Sequence, residues 1–147
     1  MSENKNSGEL EKKIRAIFAT PQVAALATVT DEGKPWVRYV TVRLSEGMML
    51  LFVTDAGSRK VAHIRGRPDV HLVCGSLQPP EDSAYLQIAG RAEVSGDPEE
   101  KRALWNEELR RYFKGPDDPN YVVVRVRPSL IEYYDPHNLT PQIWTAK

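Results

Sequence analysis

The chain has one cysteine in 147 residues, so no intrachain disulfide can staple it, and Cys74 reads as a small buried hydrophobe. It has no surplus of charge: 20 Lys and Arg balance 20 Asp and Glu. Proteins that coat nucleic acid normally carry a basic excess, so no nucleic-acid partner is expected. No apolar run approaches the ~20 residues of a membrane-spanning helix, so no membrane partner is expected either. Met1 to Glu11 is polar and lacks the apolar stretch of a signal peptide, which makes a cytoplasmic location the expectation. Three histidines, His63, His71 and His137, share no metal-ligand spacing, so no metal site is expected. The Gly-x-Gly-x-x-Gly and Gly-x-Ser-x-Gly elements are missing, and so is a strand–helix alternation, which argues against a dinucleotide fold or a hydrolase elbow. No repeat or linker divides the chain. One domain over 1–147 follows from the length, with 1–8 and 136–147 read as irregular tails.

What is present is a succession of short strands. Leu10, Ile14, Ile17 and Phe18 recur at helical spacing, and Pro21 stops that helix at Thr20. Val23–Thr30, Pro35–Leu44 and Met48–Thr54 read as strands. Their connections, Asp31-Glu32-Gly33-Lys34 and Ser45-Glu46-Gly47, are too short for parallel crossovers. Ser58–Arg65 reads as a short helix with Ser58 at its N-cap. Val70–Gly75 and Ala84–Val94 are further strands, the second bent or bulged at Gly90, with a two-proline loop at Ser76–Asp82 between them. Asp97-Pro98-Glu99-Glu100 opens a third helix, whose Trp105, Leu109, Tyr112 and Phe113 are expected to share one packed face. Tyr121–Arg127 and Leu130–Tyr134 read as two strands around Pro128. With about seven strands and three helices, the expected fold is mainly β (α+β), a closed or nearly closed antiparallel barrel with peripheral helices.

Two features carry chemistry. In Thr54-Asp-Ala-Gly-Ser-Arg-Lys60 a strand ends, a turn follows and a helix begins. The first turn of a helix offers unpaired N–H groups and a partial positive charge, so Arg59 and Lys60 there work against the dipole. A bound phosphate explains them; so does a solvated surface beside an ordinary Ser58 cap. In the strand Trp36–Arg43, alternation puts Trp36, Arg38, Val40 and Val42 on one face, which leaves Arg38 in an apolar row. A buried guanidinium needs an anion, either a protein carboxylate or a ligand phosphate. Arg43 falls on the opposite face with Val37, Tyr39 and Thr41.

Arg38 to Arg43, followed by Phe52-Val-Thr-Asp-Ala-Gly-Ser-Arg-Lys60, resembles the flavin-binding signature of the pyridoxamine 5′-phosphate oxidase-like proteins. The order of the later segments, including Tyr85–Val94 and the terminal strand pair, extends the resemblance over residues 10–135, toward the general-stress-protein-like branch. The resemblance implies a split β-barrel that binds FMN at a homodimer interface. By position, Arg38 and Lys60 would hold the flavin phosphate with Ser58 and Arg59. Val53 and Thr54 would meet the ribityl chain or ring edge, and Val40 and Arg43 would lie along the isoalloxazine. The implied activity is that of an FMN-dependent oxidoreductase acting on a small molecule that the residues do not name. The tail Leu139–Lys147 lacks the arginine with which the oxidases help to grip their substrate, and Tyr85 stands near the place of a flavin-contacting glutamine. Both departures speak against vitamin B6 oxidation as the activity. The competing readings are a flavin-binding carrier or sensor without turnover, and a split barrel using a deazaflavin or a haem-related ligand. Tyr39, Tyr85, Tyr121 and Trp36 are expected as exposed strand aromatics favouring a twofold dimer. Trp144 is read either as an anchor on the partner subunit or as a flavin cover.

Overall fold

Alternating residues with a single buried face, interrupted by tight turns, make the first half of the chain a meander. Strand β1 (Gln22–Val29) buries Ala24, Leu26 and Thr28 on one side. It pairs antiparallel with β2 (Pro35–Leu44), Leu26 opposite Arg38 and Thr28 opposite Trp36. Gly33 closes the turn between them at φ +81°, the left-handed conformation expected of it. Strand β3 (Leu50–Asp55) follows, and helix α2 (Arg59–Gly66) packs across the end of the sheet. The computed structural model describes residues 2–78 and 83–147, with side chains from Ser7 onward. The expected loop at Ser76–Asp82 therefore falls largely outside the described residues.

Strands β4 (Asp69–Ser76), β5 (Ala84–Ser95), β6 (Tyr121–Asp135) and β7 (Asn138–Thr145) complete the sheet in the order β3-β2-β1-β4-β5-β6-β7. A further pairing of β3 with β6, from Leu50 opposite Val126 to Asp55 opposite Tyr121, closes six strands into a barrel and leaves β7 outside it. The first half of β6 seals the barrel, and its second half carries β7. The fold is the expected α+β split barrel with three α-helices among the described residues: α1 (Ser2–Ile17), α2, and α3 (Pro98–Leu104).

The interior is continuous and apolar. Leu26, Val42, Leu50, Leu72, Leu86, Ile88, Val124, Val126 and Ile131 are fully buried, and α1 contributes Leu10 and Ile14 to the same cluster. At about 1.5–3 kcal/mol for each buried large aliphatic side chain, this cluster is the main source of stability. Cys74 lies within it, its thiol pushed up to about 12 by burial, as suits an inert small hydrophobe.

Several local expectations are corrected. Tyr121–Arg127 and Leu130–Tyr134 form one strand, because a bulge lets Gly90 face Pro128 while Ala89 faces Leu130. The bulge absorbs the donor that Pro128 lacks, and a Cβ on Gly90 would meet the Arg127 carbonyl oxygen at 2.6 Å. The segment 136–147, expected to be irregular, supplies β7, and Trp144 packs against the chain's own barrel core. The tail at 1–8 is helical from Ser2. The third helix starts as expected, with the Asp97 carboxylate accepting from Glu99 N–H at 3.2 Å. It stops at Leu104, and a 3₁₀ turn, Glu107–Arg111, follows. The Asn106 side chain accepts from Glu108 N–H and restarts the chain there, so the expected single face breaks in two. Trp105 and Phe113 both pack on Tyr121, while Tyr112 is exposed. Tyr121, expected at the surface, is fully buried and donates its hydroxyl to the Lys101 carbonyl oxygen. Tyr39 and Trp36 are exposed, and half-buried Tyr85 stacks on Tyr134 at 4.8 Å.

Candidate functional site

The inward row of β2 runs Arg38, Val40, Val42, as alternation predicts. Burial deepens along it: Arg38 and Val40 are half-buried, and Val42 is fully buried. Trp36, which alternation puts in the same row, is 49 % exposed at the start of β2, as expected of a surface aromatic. Arg38 is placed at the same end of the barrel, its mouth, against β1 and α2. Its Nη1 donates to Thr28 Oγ1 at 2.6 Å, to the Trp36 carbonyl at 3.1 Å and to the Leu26 carbonyl at 3.3 Å. Its Nη2 lies 3.4 Å from His63 Nδ1.

Helix α2 brings three more of the expected residues to the same mouth. Lys60 Nζ donates to Thr54 Oγ1 at 2.9 Å, tying the first turn of the helix to the end of β3. Arg59 reaches over the Trp36 ring, 5.9 Å from its centroid. Ser58 holds the N-cap position with extended backbone, but its hydroxyl caps nothing. The Ser58 Oγ atom is buried and has no hydrogen-bond partner. A buried hydroxyl left unpaired costs about 1–3 kcal/mol, so an absent partner needs explaining.

The electrostatics point the same way. Among the described residues no carboxylate lies within 4.0 Å of Arg38, Arg59 or Lys60. The protein-carboxylate partner considered for Arg38 is thus missing. Burial, then the nearby Arg59 charge, lowers the Arg38 pKa. Burial, then Arg38, lowers that of Lys60, against a smaller opposing pull from Asp55. Arg38, Arg59 and Lys60 thus gather near the start of α2, next to the unpartnered Ser58 hydroxyl, with a smaller pull from Asp55 as the opposing charge on Lys60. Such a set accepts an anion with several oxygens, and a phosphate monoester, carrying about −1.5 to −2 charge at pH 7, fits it.

The structure separates the other expected residues from this cluster. Val53 and Arg43 lie on the outer side of the barrel wall, Arg43 opposite Leu51 on β3. Val40 remains on the inner row, two residues beyond Arg38. Thr28 and His63 were not singled out from the sequence as binding residues, yet they touch Arg38 directly. Thr28 reads as one more strand threonine, and its contact with Arg38 depends on the β1–β2 register. His63 had the weak signal of sitting one turn after Arg59 and Lys60 on the same helix. Among the described residues, no group of three or more His, Cys, Asp or Glu side chains could hold a metal ion. No helix of the described residues is long and apolar enough to cross a membrane.

Comparison with known proteins places the chain in a family and a fold. General stress protein 26 of Bacillus subtilis (strain 168) is 31 % identical over 136 residues, covering 92 % of this chain and 96 % of that protein. The crystal structure of General Stress Protein 26 from Bacillus anthracis str. Sterne superimposes with a TM-score of 0.80 at 30 % identity, covering 93 % and 98 % of the two chains. Two further neighbours share the fold. One is a pyridoxamine 5′-phosphate oxidase-related, FMN binding protein of Nostoc punctiforme PCC 73102 (TM-score 0.67, 19 % identity, 96 % and 88 % covered). The other is an F420 reductase (TM-score 0.62, 26 % identity, 80 % and 94 % covered). The family model for pyridoxamine 5′-phosphate oxidase matches residues 10–135, which span every strand of the closed barrel and the whole cation cluster. The chain therefore belongs to the pyridoxamine 5′-phosphate oxidase family, on its general-stress-protein-like branch.

Proposed function

We propose that this chain binds FMN by its 5′-phosphate and works as a homodimeric, FMN-dependent oxidoreductase on a small molecule. The observation that carries the reading is the buried, unpartnered Ser58 hydroxyl at the start of the helix that carries Arg59 and Lys60, with no carboxylate within 4.0 Å of Arg38, Arg59 or Lys60 among the described residues. Arg38 and Lys60 would neutralise the phosphate, Ser58 would donate its hydroxyl, and Arg59 would close over it from the rim. Thr54, already ordered by Lys60, would meet the ribityl chain together with the Val53 backbone. Val40 and Arg43 are assigned to the ring. Because Val40 faces inward and Arg43 outward, one ring cannot meet both side chains from the same side of the β2 wall. FMN supplies the electron-transfer chemistry when bound; the chain supplies the anchor, the orientation and the dry wall.

The dimer is proposed from the outer wall. On β2, β1 and β4 the rows Val37–Ala27–His71 and Tyr39–Ala25–Val73 face outward, with Val23 beside them. Val37 is 63 % exposed and Tyr39 79 % exposed. An apolar face of this kind on a closed barrel wall suits a self-complementary contact. Light scattering at micromolar concentration is expected to give twice the chain mass, and a monomer mass would overturn it.

The fold by itself does not choose the cofactor, since its neighbours include an FMN binding protein and an F420 reductase. The deciding experiment is the visible spectrum of the purified protein with mass identification of the released ligand. A flavin spectrum and the FMN mass are expected, and FMN is expected to bind far more tightly than riboflavin. A deazaflavin or haem spectrum, or equal affinity for FMN and riboflavin, would overturn the assignment. Oxidation of a reduced nicotinamide by the loaded protein separates an oxidoreductase from a carrier or sensor.

A further inference from the structure

We infer that Thr28 and His63 are positioning residues that aim Arg38 at the anion, an inference that rests on the phosphate reading above. Thr28 is 1 % exposed and stands on β1 directly across from the start of β2. Its Oγ1 accepts from Arg38 Nη1 at 2.6 Å and lies 2.8 Å from His63 Nδ1. A threonine hydroxyl has one proton, and at Thr28 the imidazole nitrogen is the acceptor within reach. That proton is assigned to Nδ1, which then acts as the acceptor of the pair. Arg38 Nη2, 3.4 Å from the same atom, reinforces the assignment, because a guanidinium offers only donors.

The three side chains come from three elements: Thr28 from β1, Arg38 from β2, His63 from α2. Arg38 also donates to the carbonyls of Trp36 and Leu26, but these hold one nitrogen only, Nη1. The Thr28–His63 pair is what engages both Nη1 and Nη2 and fixes the rotation of the guanidinium plane. A fixed plane matters because an arginine grips a phosphate through paired N–H groups in a set geometry, and a freely swinging one loses that advantage. His63 lies in the same short helix as Arg59 and Lys60. The contact therefore ties the helix start to β2, so that the cations keep one spacing.

The test is the ratio of riboflavin to FMN dissociation constants, which isolates the phosphate contribution, measured in Thr28→Val, His63→Leu and His63→Asn. Thr28→Val keeps the shape and removes the hydroxyl. His63→Leu removes the acceptor, whereas His63→Asn places an amide oxygen near the position of Nδ1. The expected result is a ratio about tenfold lower in Thr28→Val and His63→Leu, the effect of weakening one charge-assisted hydrogen bond. Riboflavin affinity should stay unchanged, and most of the ratio should return in His63→Asn. The inference is overturned if Thr28→Val and His63→Leu keep the wild-type ratio, if riboflavin affinity falls in step with FMN affinity, or if His63→Asn is as weak as His63→Leu. Should Thr28→Val fail to fold, the two His63 variants decide by themselves. Equal affinity for FMN and riboflavin in the wild-type chain would instead overturn the phosphate reading, and this inference with it.

Discussion

Two arginines on two strands of the same barrel show opposite solutions to the cost of placing a charge near a core. Arg125, on β6, faces carboxylates. Its Nε donates to both Glu100 oxygens at 2.7 and 2.8 Å, its Nη2 bonds Glu100 and Ser95, and its Nη1 reaches Glu93 at 3.0 Å. Arg38, on β2, donates among the described residues to neutral acceptors and stands near two further cations. The first arrangement is self-contained: it lowers the Glu100 pKa and locks α3 to the barrel wall. The second has no carboxylate within 4.0 Å among the described residues, and that is where the proposed phosphate site is placed. The same residue type, half-buried in both places, thus locks a helix in one and, under the proposed function, meets a ligand in the other.

The largest effect expected from this contrast is on binding. Arg38→Ala should lower FMN affinity tenfold to more than a hundredfold, since a charge-assisted hydrogen bond contributes about 1.5–3 kcal/mol. Lys60→Ala should act in the same direction with little change in apo-protein stability, its head group being tied only to Thr54. Flavin fluorescence titration with a parallel melting curve checks both. Unchanged FMN affinity in both variants would reduce Arg38 to a structural residue.

Next in size is the reverse experiment. Glu100→Gln should cost about 1–2 kcal/mol of unfolding free energy by denaturant titration, because Arg125 then loses its main charged partner. It should leave the riboflavin-to-FMN ratio untouched. A loss of FMN affinity there would mean that the two regions are coupled.

The pH dependence follows from sign. Arg125 holds the Glu100 carboxyl below its ordinary range in the folded state. The stability it adds is fully present above the unfolded carboxylate pKa of about 4.3 and is lost as pH falls through the lower, folded value. Acid titration of wild type should therefore show a stability loss that Glu100→Gln flattens. Lys60 contributes a penalty rather than a gain, but its stability term also rises with pH. Its folded pKa is lowered, so the cation is penalised at neutral pH, and the penalty fades as pH rises toward the ordinary lysine value. In the FMN-bound protein that relief should shrink, since the phosphate favours the charged amine.

The smallest expected effect is the most discriminating. A Ser or Asp N-cap normally contributes about 1 kcal/mol, and Asp97→Ala should cost that much, since its carboxylate accepts from Glu99 N–H. Ser58→Ala occupies the same kind of position but should leave apo stability unchanged or slightly higher, because the hydroxyl it removes caps nothing. It should nonetheless weaken FMN binding several-fold, the worth of one neutral hydrogen bond. A loss of apo stability as large as that of Asp97→Ala would show that Ser58 is an ordinary cap.

Much of this was legible in the residues. The alternation Arg38, Val40, Val42 put an arginine in an inward row, and Asp55-Ala-Gly-Ser58 marked a helix start loaded with cations. The Gly33 turn, the Gly90 bulge and the Asp97 cap were each readable from a single local rule. The failures were also local rules, applied where a longer-range term won. Trp105, Leu109, Tyr112 and Phe113 fit a helical period, but Asn106 offered the backbone a competing cap and Tyr121 drew Trp105 and Phe113 onto itself. Asn138–Thr145 has weak strand character and became β7 because the far half of β6 presented it with unpaired backbone groups.

By itself the sequence determined what acts over a few residues. It set which side chains share a face, where Gly or Pro forces a turn or bulge, where a capping side chain meets free N–H groups, and that cations crowd one helix start. Those outcomes depend on backbone sterics and on hydrogen bonds spanning three or four positions. Only the tertiary structure decided which charges meet. The closure of β3 on β6 and the β1–β2 register set Thr28, 10 positions away in sequence, and His63, 25 positions away, against Arg38, with no carboxylate within 4.0 Å among the described residues. The same packing set Glu100 against Arg125. Barrel closure is fixed by the fit of the whole apolar interior, so the partner of any one arginine is a consequence of every strand at once.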